Sequence, residues 1–159
     1  MAGLALQFSS NRMMREYVEQ HYVPAALAFR RRSVQDAKLA RELQSWTEML
    51  ERHWSEVRFG DVKVSWEGDR WRVEVQVHLG SVPPEMVLVE LYADPVNDAE
   101  SVRQALGRTN EMPGSMNAYL YRSSAPASSR PSWHFTPRIV PHHPEARIPI
   151  EAPIIVWSR

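Results

Sequence analysis

Between positions 39 and 54 the large apolar residues Leu39, Leu43, Trp46, Leu50 and Trp54 recur at steps of four, three, four and four, which lays one continuous stripe along a helix. At roughly 1.5–3 kcal/mol per large side chain, burying that stripe is worth on the order of 10 kcal/mol. The helix therefore packs on something large. From about Val57 the period changes to two. Val62, Val64 and Trp66 alternate with Lys63 and Ser65, and Trp71, Val73, Val75, Val77 and Leu79 alternate with Arg72, Glu74, Gln76 and His78. Gly68-Asp69 suits a two-residue hairpin turn, a register that sets Trp66 opposite Trp71 and Glu67 opposite Arg70.

Upstream, residues 9–32 read as a first helix, with Ser9 as N-cap and Phe8 and Met13 at the spacing of a hydrophobic staple. Pro24 removes a backbone donor, so this helix kinks there or restarts at Ala25. Arg30-Arg31-Arg32 then stand at its C-terminal end, where positive charge suits the macrodipole. Ser33-Val34-Gln35-Asp36 has the form of a capping box that opens the second helix. Downstream of Pro83-Pro84, Met86 to Ala93 reads as a central strand and Asp94 to Asn110 as a polar excursion with one helical turn. Met116 to Arg122 is a strand, Ser123 to Pro131 a loop, and Ser132 to Val140 a strand that Pro137 marks as an edge. Ile148 to Trp157 closes the chain as another edge strand. The pattern predicts an α+β fold: two N-terminal helices followed by an antiparallel β-sandwich of about six to seven strands. The division is a helical segment, 1–56, with helices near 9–32 and 33–55, and a β-sandwich module, 57–159.

At 159 residues the chain has room for one domain with a helical extension. Nineteen basic residues balance nineteen acidic ones, which gives no pull toward nucleic acid or an anionic membrane. There is no cysteine, hence no disulfide and no thiolate nucleophile. The apolar opening lacks a basic n-region, so it is not read as a signal peptide, and no run reaches the length of a membrane span. The sequence reads as cytoplasmic.

Candidate chemistry is sparse. The chain has two lysines, Lys38 and Lys63, both at positions expected to face water, and its six glycines form no phosphate-cradling loop. His142-His143 with His134 and Glu145 is the one grouping that resembles metal ligands, but adjacent residues in extended chain point apart and a structural loop is the better reading. Asp94, Asp98 and Glu100 read as a solvated turn, and no G-x-S-x-G is present for a hydrolase. Of the six tryptophans, Trp46, Trp54, Trp66 and Trp71 are expected in the core, while Trp133 has no packing role from its pattern.

Two stretches carry a resemblance: Phe8-Ser9-Ser10-Asn11-Arg12-Met13-Met14-Arg15-Glu16-Tyr17 and Phe135-Thr136-Pro137-Arg138-Ile139-Val140-Pro141-His142-His143-Pro144. Together with Phe8 to Tyr22 and Pro24, Leu43 to Trp54, His78-Leu79-Gly80 through Val89-Glu90-Leu91-Tyr92, Tyr119-Leu120-Tyr121-Arg122 and Ile155-Val156-Trp157, their order resembles the C-terminal region of bacterial α-glucan phosphorylases. Such enzymes are glycosyltransferases that use pyridoxal phosphate (PLP) to cleave α-1,4-glucans with phosphate. The resemblance implies that the first helix closes the second lobe of their catalytic fold and that the strands form an accessory module. The family's cofactor lysine motif, ending Asn-Met-Lys, does not occur here, so no catalytic, cofactor-binding or metal residue is carried over. The expectation is a non-catalytic module, not an enzyme on its own and without a cofactor. It would dock through Met13, Met14, Tyr17, Val18 and Tyr22 on a phosphorylase catalytic body, or self-associate through the first helix. The alternative is an α-glucan-binding module that uses Trp133 or the Trp66 and Trp71 pair.

Overall fold

The computed structural model describes residues 10–68, 70–94, 101–126 and 135–158, without the side chains of residues 10, 67 and 124–126. Phe8, Ser9, Asp69, Asp98, Glu100, Trp133 and His134 lie outside the described residues. The chain divides into two units, Met1–Ser45 and Trp46–Arg159.

The first unit is helical. Helix α1, Ser10–Tyr17, passes into a π-helical turn, Val18–Tyr22, and then into helix α2, Val23–His53, whose later part belongs to the second unit. The π turn answers Pro24. An α-helical proline loses its N–H and its ring meets the carbonyl four residues back, here that of Gln20, and the wider turn relieves that crowding. Within α2 the helix breaks at Val34, and Gln35, Asp36 and Ala37 take left-handed backbone angles with φ of 53°, 57° and 56°. The expected capping box at Ser33 is therefore not formed. Ser33 Oγ donates instead to the Phe29 carbonyl, 2.8 Å away, and Asp36 pairs with Arg41 at 3.2 Å. Three left-handed L-residues cost roughly 1–2 kcal/mol each.

Among its described residues the second unit holds the end of α2 from Trp46, a 3₁₀ turn at Trp54–Glu56 and eight strands in two antiparallel sheets. The strands are β1 Arg58–Glu67, β2 Arg70–His78, β3 Val87–Ala93, β4 Val102–Ala105, β5 Gly107–Glu111, β6 Ala118–Pro126, β7 Thr136–Pro141 and β8 Val156–Trp157. One sheet runs β1-β2-β6-β5, the other β4-β3-β7-β8. The apolar stripe performs as its period requires: Leu43, Trp46 and Leu50 are buried, Leu39 and Trp54 half-buried. Val75, Val77, Val89 and Ile139 are fully buried and, with Leu79 and Val82, make the core of the strand-bearing unit.

The hairpin register is the expected one, with Trp66 opposite Trp71 and Glu67 opposite Arg70. Five strands differ from expectation. The polar stretch after Asp94 supplies two strands, β4 and β5, which is why there are eight rather than six or seven. β5 is exposed throughout, so no buried face imprints an alternation on its sequence. Ser123 to Pro126 continue β6 against β2 instead of starting a loop. β7 is an inner strand despite Pro137, because β8 covers only Arg138 and Ile139, and the Pro137 carbonyl accepts the Ser158 N–H at 3.0 Å. Of the expected Ile148–Trp157 strand only Val156 and Trp157 pair, since Pro149 and Pro153 offer no donors to a ladder.

Candidate functional site

The expected docking residues are all on the surface. Met13 is 69% exposed, Tyr22 63%, and Met14, Tyr17 and Val18 lie between 42% and 65%. Three residues join them that the sequence pattern did not reveal: Val23, Leu27 and Phe29, exposed by 47%, 52% and 72%. The π turn is the reason they share a face. The Val23 N–H bonds to the Val18 carbonyl, so five residues complete this turn and Val23 stands above Val18. In an unbroken α-helix it would lie about 140° further round. Tyr17 consequently meets Tyr22, five residues on, with ring centroids 5.5 Å apart, and His21 at 5.0 Å. Met13, Tyr17, Tyr22 and Phe29 form one row, and Met14, Val18, Val23 and Leu27 the next. Arg12 and Glu16, 2.7 Å apart, occupy the other side.

In the strand-bearing unit, the conspicuous side-chain groupings tie elements together. Glu56 accepts the Ser81 N–H at 2.6 Å through one oxygen and sits 2.7 Å from His53 Nδ1 through the other. These bonds, His53's first, hold its carboxyl below the usual range. Gly80 follows the His78-Leu79 pair with φ of +59°, and a Cβ there would strike the Glu56 side chain. Asn117 completes the latch, donating from Nδ2 to the Gly80 and Val82 carbonyls at 2.8 Å each. His78 itself has its pKa lowered by burial and by Arg58 across the ladder.

Glu90 and Arg138 form a buried ion pair between β3 and β7. The Arg138 Nε donates to Glu90 Oε1 at 2.7 Å, and its guanidinium lies 4.0 Å from the Tyr92 ring centre and 5.3 Å from that of Trp157. His143, in the loop after β7, packs at a tilt of 56° against Trp46 with centroids 5.4 Å apart, and its Nδ1 accepts the Glu145 N–H at 3.1 Å. His142 is exposed, and its backbone N–H bonds to the Met86 carbonyl. Among the described residues no three His, Asp or Glu side chains gather as metal ligands do. Lys38 and Lys63 are both exposed.

The tryptophans divide. Trp46 is buried, Trp54 and Trp71 are half-buried, but Trp66 is 56% exposed, against the expectation of core packing. It stands at the outer end of an edge strand whose Val62 and Val64 are also exposed, and its ring lies 3.6 Å from that of Trp71. Strand alternation alone could not show that this face of β1 is left exposed.

The family model for the glycogen phosphorylase C-terminal domain matches residues 54–159. The chain belongs to this family. Among curated proteins it is similar to the maltodextrin phosphorylase of Thermococcus litoralis, 29% identical over 98% of this chain and 19% of that protein. It is also similar to the glycogen phosphorylases of Mycobacterium bovis and Mycobacterium tuberculosis, each 26% identical over 85% of this chain and 17% of theirs. The chain thus spans about a fifth of the length of these relatives. No solved structure matches it significantly. Within this glycogen phosphorylase C-terminal domain, the His78-Leu79-Gly80 and Phe135 to Pro144 motifs are the latch and the inner strand with its buried arginine. Both are framework. The exposed helical face precedes the matched domain, yet the similarity to the maltodextrin phosphorylase extends over nearly the whole chain. No described helix is long and apolar enough to cross a membrane.

Proposed function

We propose that this chain is the structural, non-catalytic C-terminal module of an α-glucan phosphorylase, and that its first helices dock on the catalytic body of such an enzyme. The observation that carries the reading is the two rows of exposed large apolar side chains, eight in all, from Met13 to Phe29; the strand-bearing unit has a core of its own. A contiguous apolar face of this size marks an interaction surface. A relative's length in excess of this chain is where the complementary surface would lie. On this reading the two sheets serve as the layers of a sandwich that anchors the docking helices, and the chain holds no PLP and forms no glucose 1-phosphate by itself.

The test is to mix the chain with Thermococcus litoralis maltodextrin phosphorylase shortened by the stretch this chain matches, and to follow co-elution. Binding that Tyr17→Glu and Tyr22→Glu abolish is the expected result. No complex, or release of glucose 1-phosphate from glycogen and phosphate by the purified chain alone, would overturn the proposal. The exposure of Trp66 favours a second reading, α-glucan binding at the hairpin. Its surroundings disfavour it: Val62, Val64 and Val73 share that face, and of the two hydroxyls the described register brings to it, those of Ser123 and Tyr121, the latter is buried. Sugar rings need hydrogen bonds at their edges as well as an aromatic platform. Titration with maltoheptaose should leave the tryptophan fluorescence unchanged, and a saturating change would establish this second reading instead.

A further inference from the structure

We propose that in the free chain the apolar helical face is covered by a second copy of the same chain, the two helices packed antiparallel, and that a phosphorylase body displaces this second copy on docking. The inference rests on the reading of this face as a contact surface and names what occupies it beforehand. Area supports the choice. Eight side chains exposed by 42–72%, at roughly 150–250 Å² for a large side chain, present on the order of 800 Å². A stable interface buries about 800 Å² per partner. The hairpin patch of Val62, Val64 and Trp66, with three such residues, falls well short of it.

Continuity supports it as well. The π turn returns Tyr22, Val23, Leu27 and Phe29 to the phase of Met13, Met14, Tyr17 and Val18, so two unbroken rows run the length of the face. Such rows are what a facing helix packs into. Charge selects the direction. Arg30, Arg31 and Arg32 lie at one end, whereas at the other Arg12 and Arg15 are balanced by Glu16 and Glu19. Parallel packing would bring the two arginine ends together, while antiparallel packing sets each against the end where both signs occur.

Sedimentation of the intact chain over a range of concentrations tests the inference, with circular dichroism to show that each variant remains helical. The expected result is a monomer–dimer equilibrium that Tyr17→Glu or Leu27→Glu weakens by about tenfold or more, since each buries a carboxylate in an apolar contact. Inserting one alanine after Gln20 should also weaken it, because an added residue beyond the one that the π turn absorbs turns the two halves of the face apart by about 100°. The natural chain has no cysteine, so orientation can be read from cross-linking. A mixture of Met13→Cys and Phe29→Cys chains should form the mixed disulfide, and neither variant alone should. A strict monomer, a dimer indifferent to these substitutions, or cross-linking of like with like would each overturn the inference. Adding the shortened phosphorylase separates the two claims. Dimers that dissolve into complex support both, dimers that persist without binding sink the docking reading and the displacement while leaving self-association, and a monomer that binds the body sinks only self-association.

Discussion

Replacing Arg138 by methionine isolates what the buried ion pair does for the module. Both members are nearly out of water, Glu90 at 6% and Arg138 at 8% exposure, and they join β3 to β7 in the middle of one sheet. Removing the guanidinium leaves the Glu90 carboxylate without its counter-charge in a low-dielectric setting, and breaking such a pair costs about 3–5 kcal/mol. The contacts with Tyr92 and Trp157 are lost with it, each worth about 0.5–2 kcal/mol. Against a net stability of about 5–15 kcal/mol for a domain, the variant stands close to unfolding. Urea denaturation at neutral pH, followed by tryptophan fluorescence, should show a large fall in midpoint with little change in slope. The double variant Glu90→Leu with Arg138→Met should recover most of the loss, because apolar residues of similar volume remove the charge and its partner together. A single variant that costs less than about 1 kcal/mol would refute this account. So would a double variant less stable than the single one.

Other outcomes follow from the same geometry. Gly80→Ala should lower the melting temperature by the equivalent of about 1–3 kcal/mol, since the left-handed backbone and the Glu56 side chain both oppose a Cβ there; adding Glu56→Ala should not restore it, since alanine keeps the Cβ that the new one meets and takes the acceptor from the Ser81 N–H. Tyr121 is buried, its hydroxyl has no hydrogen-bond partner among the described residues, and burial pushes its pKa up to about 12. A folded-state pKa above the unfolded one means stability present below about pH 10 and lost as pH rises toward 12. Tyr121→Phe should therefore resist alkaline unfolding better than the natural chain and be no less stable at pH 7, as thermal melts would show. Glu56 behaves oppositely: its lowered pKa contributes stability above the ordinary carboxylate range that is lost as pH falls through it. Glu56→Gln should flatten the acid limb of a melting-temperature profile below about pH 4.

The parts of the fold legible in the sequence are those in which one buried face imprints a period. Leu39 to Trp54 announced their helix, and the alternation from Val62 to Leu79 fixed a register that places Trp66 against Trp71. Where no face is buried the sequence was mute. β5 is exposed along its whole length, and β4 offers only Val102 and Gln104 half-buried. Pro137 misled because the rule against inner-strand prolines assumes two long neighbours, and β8 is two residues long. Ser33 has the residue types of a cap but uses its hydroxyl on the preceding turn. The exposed helical face was half legible for a different reason: a constant helical angle scatters Val23, Leu27 and Phe29 away from Met13 and Tyr17, and only the extra residue in the π turn gathers them.

Leu106 is the single residue between β4 and β5, which belong to different sheets. Its N–H is bound to the Val89 carbonyl at 2.8 Å and its side chain is buried. A strand slipped by one place turns its inward residues outward. Here a one-residue insertion would have to be absorbed by both layers at once, so homologous chains should vary in length almost anywhere else before they vary at this crossing.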